Sequence, residues 1–359
     1  MQTICVTGSV KVDPNKDVPG KASLLLKLLR NSDYELTTST QADFLLSIDH
    51  NQKVYQSFIR LGGKPSRTFL LRLEPETVYP SQYRMKIYSM YGTVFSPGRV
   101  GTATDNDKHT KWPYEYHYDP NYPNILDPKL SSVLEKINKS TELGLEEWKK
   151  RSINLSLIAS NKVSSVSKEN YTLRRELAKE LSSFGLEIYG DLWRSTILQK
   201  IRHRAAVALF AVKQRTFPNP RSIYGNLLRI YPNAKGPVPN KHEILSHSKF
   251  TLIVENSMEI VTEKIFDAFA NGVIPIYVGP SMNEFGFPPN IAFQCTGKSD
   301  EIVEFVSGIS DAKVIEMLNS AQVFLRSDVF LMHHTEEAVY KDILSQIDSV
   351  ISNHSQTER

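Results

Sequence analysis

Short apolar runs alternate with amphipathic runs along most of the chain. In the first part, the β-rich runs TICVTG, ADFLLSID and RTFLLRLEPE are separated by the helix-like runs SLLLKLLRNS and KVYQSFIRLGG. Strands that alternate with helices of this length are typical of βαβ units, which assemble into parallel sheets. The pattern therefore predicts an α/β domain at the start of the chain.

The same alternation returns after a polar and aromatic stretch at 92–124 and a helical connector that ends near Arg151. It consists of the strand-like runs INLSLIASN, LEIYG, FTLIVEN and VIPIYVG and the helix-like runs YTLRRELAKELSSFG and TEKIFDAFANG. A chain of 359 residues is also longer than one hydrophobic core usually fills. We expect two Rossmann-like doubly wound domains, at 1–150 and 151–325, that face a cleft, followed by a helical C-terminal tail at 326–359.

Composition and charge narrow the class of ligand. Hydrophobic residues make up 40% and charged residues 23% of the chain, as in an ordinary folded protein. The net charge is +4 and the Lys and Arg residues are scattered, which favours a small anionic ligand and predicts no nucleic-acid partner. Cys5 and Cys295 are far apart and support neither a disulfide framework nor a zinc site. The absence of a long apolar run predicts no transmembrane segment and a cytoplasmic location.

The segment after FTLIVEN carries the most informative polar residues. Glu255 and Asn256 end a buried strand, and Thr262 is a candidate N-cap for a helix with Glu263 and Lys264 in its first turn. Helix amides and a lysine at such a position attract a diphosphate, and Glu263 could accept hydrogen bonds from ribose hydroxyls. A T-E-K sequence is also an ordinary helix cap, so these residues alone leave both interpretations open.

This segment resembles the signature of the α-1,3/4-fucosyltransferases, in which a strand ending in F-E-N-S or F-E-N-T leads to V-T-E-K or I-T-E-K. The matching residues occur in the same order and are Glu255, Asn256, Ser257, Val261, Thr262, Glu263, Lys264, Pro275, Gly279 and Pro280. Val254 and Ile260 stand where the family commonly has aromatic residues. The resemblance implies a GT-B fold and a GDP-β-L-fucose donor bound by Glu255, Asn256, Glu263 and Lys264. It also implies no tightly bound cofactor and no required divalent metal.

Two further segments resemble the same family. The run RRELAKEL aligns Arg174 with the family's phosphate-binding arginine, although Arg174 and Arg175 could instead solvate a helix face. The run RTFLLRLEPE resembles the family's strand ending in T-G-E-N and places Glu74 at the end of that strand, since Pro75 argues against its continuation. Glu74 is thus the candidate general base, with Glu76 as the alternative and a structural role also open.

The aromatic stretch is the expected contact surface for an acceptor oligosaccharide, because sugar rings stack on aromatic faces. Its candidate residues are Trp112, Tyr114 and Tyr116, and packing between domains is an equally good explanation for them. The implied function is inverting transfer of L-fucose to a hydroxyl of an acceptor glycan. The alternatives are a transferase for another GDP-hexose and a catalytically silent glycan- or nucleotide-binding protein on the same fold.

Overall fold

The computed structural model describes residues 1–8, 22–97, 107–110, 144–213, 219–225 and 227–357. Its contacts divide the chain into two compact units. The first comprises Met1–Pro113 and Met332–Arg359, and the second is Tyr114–Leu331. The sequence-based division at residues 150 and 325 stays a prediction, while the contacts group the last helix with the first unit.

The first unit is built on a parallel sheet in the order β2-β1-β3-β4-β5-β6. Its strands are β1 (Gln2–Gly8), β2 (Tyr34–Thr37), β3 (Phe44–Ile48), β4 (Thr68–Leu71), β5 (Thr93–Pro97) and β6 (Asp107–Thr110). The helices Ser23–Arg30, Gln52–Arg60 and Met85–Tyr88 lie between them, together with 3₁₀ turns at Pro65–Arg67 and Pro80–Tyr83. Both faces of the sheet are covered by apolar side chains, as expected for parallel strands.

The last helix, Glu336–Thr357, packs into the core of the first unit. Its inward side chains recur at helical spacing and are Val339, Tyr340, Ile343, Ile347 and Ile351. They join Leu25 and Leu29 of the helix Ser23–Arg30 and apolar residues of the sheet. The phenol of Tyr34 donates a hydrogen bond to Asp348 Oδ1 over 2.7 Å. The predicted helical run from Ala312 to Ile351 consists of three helices, Asp311–Leu325, Asp328–His333 and Glu336–Thr357.

The second unit has a parallel sheet in the order β12-β11-β10-β7-β8-β9. Its strands are β7 (Ile153–Ile158), β8 (Leu186–Tyr189), β9 (Ala234–Gly236), β10 (Ser248–Val254), β11 (Ile274–Val278) and β12 (Phe293–Gln294). Besides the helix Asp311–Leu325, the unit contains the helices Leu145–Lys149, Tyr171–Glu180, Ile197–Lys213, Pro220–Tyr224, Lys241–Ser246, Lys264–Ala270 and Ser299–Gly308, and a 3₁₀ turn at Met282–Phe285.

The strand order of the second unit is that of a doubly wound nucleotide-binding fold. Counted within the unit, it reads 6-5-4-1-2-3, so the direction of winding reverses between β7 and β10. Ligands of such sheets bind outside the carboxyl ends of the strands at this reversal. The predicted class, two Rossmann-like units with parallel sheets and a helical C-terminus, is confirmed. No helix in the described part of the chain is long and apolar enough to cross a membrane.

Two local predictions are corrected. The strand expected to reach Glu74 ends at Leu71, because β3 ends at Ile48 and Asp49 turns with φ +56°. The Asp49 carboxylate then accepts a hydrogen bond from the amide of Leu73 in place of a strand carbonyl. Thr262 is not the N-cap of the next helix, which begins at Lys264 with Glu263 at the N-cap position.

Candidate functional site

The carboxylate of Glu255 lies fully buried at the carboxyl end of β10. Its Oε1 accepts a hydrogen bond from the amide of Thr262 over 2.8 Å, and its Oε2 accepts one from the Thr262 hydroxyl over 2.7 Å. Burial raises the pKa of Glu255, while the charge of Lys264 and the bonds from Thr262 oppose that rise. The buried Glu255 carboxylate therefore holds the two ends of the loop at 255–262 together.

Lys264 connects this buried carboxylate to the surface. Its Nζ donates to Thr262 Oγ1 over 2.7 Å and lies 3.8 Å from Glu255 Oε2 and 3.9 Å from Glu263 Oε1. The side chains of Lys264 and Glu263 are 22% and 18% exposed, so both are partly accessible to a ligand. The Thr262 hydroxyl donates to Glu255 and accepts from Lys264, which holds the ammonium group in a fixed place.

A cavity of about 120 Å³ adjoins these side chains within the second unit. It is lined by Ile158, Lys241, Leu245, Thr251, Leu252, Ile253, Glu263, Lys264 and Asp267. Ile158 is the last residue of β7 and Thr251 lies in β10, so the cavity borders the two strands at which the winding reverses. Within this lining, Lys241 Nζ donates a hydrogen bond to Asp267 Oδ2 over 2.5 Å. The cavity is thus lined by both apolar and charged side chains.

Arg174 holds the end of β10 from the helix Tyr171–Glu180. Its guanidinium donates to the carbonyl of Val254 and, over 3.3 Å, to Asn256 Oδ1. The side chain is buried and lies over the ring of Tyr171, and burial lowers its pKa. Arg175 is buried as well, so the interpretation of both arginines as a solvated helix face is wrong.

The structure thus brings all five donor-site candidates of the second unit together at one strand end. Asn256 is half-buried there, and its carbonyl accepts a hydrogen bond from the amide of Asn170 over 3.0 Å. Thr262 and Lys241 belong to the same constellation and were not singled out as site residues from the sequence. Their contacts join positions on different elements, which periodicity along the chain does not report.

Glu74 lies in the first unit, three residues beyond the end of β4. Its carbonyl accepts hydrogen bonds from Gln82 Nε2 over 3.3 Å and from the Tyr83 hydroxyl over 3.0 Å, which fixes the backbone. The residue is half-buried, as is Glu76. Both residues follow the carboxyl end of β4 in the chain, and ligands of parallel sheets bind at that edge.

Asp49 and His50 accompany Glu74 at this edge of the first sheet. Asp49 Oδ1 accepts from Gln82 Nε2 over 3.1 Å, and the His50 ring bonds to the Tyr91 hydroxyl over 2.9 Å. Burial lowers the pKa of His50. Sequence reasoning missed this pair, although a polar dipeptide directly after the buried strand Phe44–Ile48 is a signal that could have found it.

The remaining predictions concern the acceptor and metals. Trp112, Tyr114 and Tyr116 lie outside the described residues. Among the residues that the structure does describe, no group of three or more His, Cys, Asp or Glu side chains could hold a metal ion. The expectation that no divalent metal is required stays a prediction.

Comparisons with known proteins bear on the fold. No family model and no curated protein sequence matches the chain. Among solved structures, an α1,3-fucosyltransferase with GDP-fucose is 16% identical, with a TM-score of 0.53 over 97% of this chain and 90% of that one. HepE of Anabaena in complex with UDP and glucose is 12% identical, with a TM-score of 0.52 over 97% of this chain and all of the other. The motif resemblance is therefore confirmed at the level of architecture: the chain has the GT-B fold that α1,3-fucosyltransferase also has.

Proposed function

We propose that this protein is an inverting glycosyltransferase that moves L-fucose from GDP-β-L-fucose to a hydroxyl of an acceptor glycan. The observation that carries the proposal is the array of Glu255, Thr262 and Lys264 at the end of β10, beside a cavity at the reversal of winding. This is the place in a doubly wound sheet where nucleotides bind, and the array presents a fixed, partly exposed ammonium group there.

The second unit binds the donor in this proposal. Lys264 Nζ neutralises negative charge on the diphosphate, and a preorganised cation at that position stabilises the charge that grows as GDP leaves. Glu263 accepts hydrogen bonds from sugar hydroxyls. The half-buried Asn256 donates a hydrogen bond from Nδ2 to the nucleotide sugar. Glu255 acts through Thr262 and Lys264, because its own carboxylate is fully buried. The location in the cytoplasm and the independence from metal remain sequence-based predictions.

Arg174 has two compatible roles in donor binding. Its bonds to Val254 and Asn256 position the end of β10. Its positive charge also favours an anionic ligand at that strand end. Direct contact with the diphosphate, as the family resemblance implies, stays a prediction. An arginine suits both roles because its planar donors can satisfy several oxygens at once.

Glu74 of the first unit is the proposed general base. Its carboxylate removes the proton of the acceptor hydroxyl as that oxygen attacks the anomeric carbon, and the bond from this carbon to the β-phosphate oxygen breaks. GDP departs with the electron pair, and the β-linked sugar becomes α-linked. A positioned carboxylate contributes roughly 10²–10⁴-fold to such a step. Glu76 is the alternative base, and it would replace Glu74 if Glu74→Ala kept its turnover while Glu76→Ala lost it.

A titration of the purified protein with GDP-fucose, GDP-mannose and UDP-glucose, each with and without magnesium, tests the donor. Preference for GDP-fucose that is lost in Lys264→Ala supports the proposal. The matched control is Lys313→Ala, because Lys313 is a partly exposed lysine of the same unit that pairs with Glu316. Binding of GDP-mannose alone would support the same donor site but would identify the donor as another GDP-hexose. A protein that binds no nucleotide sugar would instead be a silent member of the fold.

A further inference from the structure

The segment 192–242 of the second unit contains no Asp or Glu and ten Lys or Arg residues. The whole chain carries a net charge of only +4, so the rest of the chain is net negative. The segment is positively charged because it lacks acidic residues over a long stretch, and not because it contains a run of lysines. Lys200 and Arg204 are buried and Lys241 pairs with Asp267, so the cations available to a ligand include the exposed Arg194, Arg202, Lys213 and Arg221. Exposed cations without acidic neighbours along the chain attract anionic surfaces.

The helix Ile197–Lys213 within this segment buries two of its cationic side chains, Lys200 and Arg204, and exposes several apolar ones. Lys200 and Arg204 are 8% and 6% exposed, and they donate to the backbone carbonyls of Arg229, Ile223 and Gly225 over 2.8 to 2.9 Å. These bonds tie the helix to the chain at 220–230. The inward face therefore contributes polar anchoring where most helices contribute apolar packing.

A neighbouring face of the helix presents exposed apolar side chains. Ile197, Ile201, Leu209 and Val212 recur at spacings that place them on one side of an α-helix.

The nearby Leu228 and Ile230 flank Arg229, whose carbonyl accepts a hydrogen bond from Lys200 in the first turns of this helix. Leu209 and Ile230 are 71% and 82% exposed. We call these six side chains the basic apolar surface, because the exposed Arg202 and Lys213 border them.

We propose that the basic apolar surface docks the protein peripherally on an anionic lipid membrane. Aliphatic side chains insert among acyl chains at the boundary with the headgroups, while arginines and lysines at their border pair with lipid phosphates. The helix lies on such a surface and does not span it.

Two other occupants fit the surface less well. In a symmetric dimer the same patch would meet itself, which would bring together two acid-free segments of equal charge. Single-stranded nucleic acid would match the charge, but it binds by stacking bases on aromatic rings, whereas the six side chains of the basic apolar surface are aliphatic. The exposed aromatic residues of the segment, Phe210 and Tyr224, do not belong to that surface. A lipid surface satisfies both the charge and the aliphatic side chains.

Flotation of the full chain with vesicles tests the proposal. We expect binding to vesicles of phosphatidylcholine mixed with phosphatidylglycerol, at least about fivefold weaker binding to phosphatidylcholine alone, and weakening with added salt. The uncharged double variant Leu209→Ser with Ile230→Ser should lose about tenfold or more in partitioning. The control is Ile315→Ser with Val323→Ser, which changes two exposed aliphatic residues elsewhere in the same unit.

The same double variant separates the alternatives. Both substituted side chains are exposed, so its thermal midpoint should match that of the unsubstituted protein. Equal vesicle binding by the two proteins would overturn the proposal. So would a protein that binds polyuridylate but no vesicles, or a concentration-dependent dimer that the variant abolishes without any vesicle binding.

Discussion

The two oxygens of the Glu255 carboxylate accept hydrogen bonds from one residue, Thr262, through its amide and its hydroxyl. The hydroxyl also accepts from Lys264, so a single side-chain oxygen links a buried anion to a partly exposed cation. Removing that oxygen should affect stability and donor binding together, and the two effects can be measured separately.

Thr262→Val keeps the shape of the side chain and removes the hydroxyl. We expect a loss of roughly 1–3 kcal/mol in the free energy of unfolding, because Glu255 Oε2 loses its donor while remaining buried. Urea unfolding measures the loss, and Thr262→Ser serves as the control because it keeps the oxygen. Equal stability of the Val and Ser variants would contradict the assigned bond.

Glu255 should make stability depend on pH. Since burial raises its pKa above the ordinary value of 4.5, the unfolded chain releases this proton at lower pH than the folded protein does. Stability from this group is therefore complete below pH 4.5 and is lost as pH rises, with a slope of up to about 1.4 kcal/mol per pH unit. The difference in unfolding free energy between the unsubstituted protein and Glu255→Gln should fall as pH rises. A constant difference would count against the raised pKa.

His50 should have the opposite dependence. Burial lowers its pKa below the ordinary 6.5, so the unfolded chain binds a proton that the folded protein does not yet accept. The contribution of His50 to stability is complete above pH 6.5 and is lost as pH falls through the lowered pKa. The thermal midpoint of the unsubstituted protein should therefore drop more between pH 7.5 and 5.5 than that of His50→Gln. If both proteins lose the same amount, His50 is not the titrating group.

Gly279 is predicted to tolerate no side chain. A Cβ built there would lie 2.5 Å from the Tyr277 hydroxyl oxygen and 2.9 Å from Glu255 Cγ. Gly279→Ala should cost about 1–3 kcal/mol of stability through overpacking, measured by thermal unfolding. The buried Tyr277 hydroxyl has no hydrogen-bond partner among the described residues, so Tyr277→Phe alone should be neutral or stabilising. In the double variant, Tyr277→Phe should recover part of the loss.

The C-terminal helix is predicted to be essential to the first unit. Ile343→Ala and Ile347→Ala each remove a fully buried side chain and should cost about 2–5 kcal/mol. Ser349→Ala, at an exposed position of the same helix, is the control and should change stability little. A small effect at both isoleucines would show that the helix is only loosely attached.

The sequence predicted the parts of the fold that depend on local patterns. The alternation of runs indicated two parallel sheets, and the end of FTLIVEN correctly marked where Glu255, Asn256 and Lys264 meet. The role of Thr262 was assigned wrongly, because a capping pattern describes neighbours along the chain and cannot show a contact back to Glu255. Asp49 was missed for a similar reason, since its left-handed turn replaces a strand carbonyl with a side chain. The basic segment was read as scattered charge because the missing acids, and not the cations, define it.

The return of the chain to the first unit sets the order in which the protein can be completed during synthesis. The second unit is continuous in sequence, so all of its strands have left the ribosome before the helix Glu336–Thr357 is made. The first unit starts earlier but lacks Tyr340, Ile343 and Ile347 until that helix has been made, and domains fold as units once their segments are present. The unit begun first is therefore the later of the two to be completed, and until then part of the apolar surface formed by the helix Ser23–Arg30 and its sheet stays open to chaperones or to misassembly.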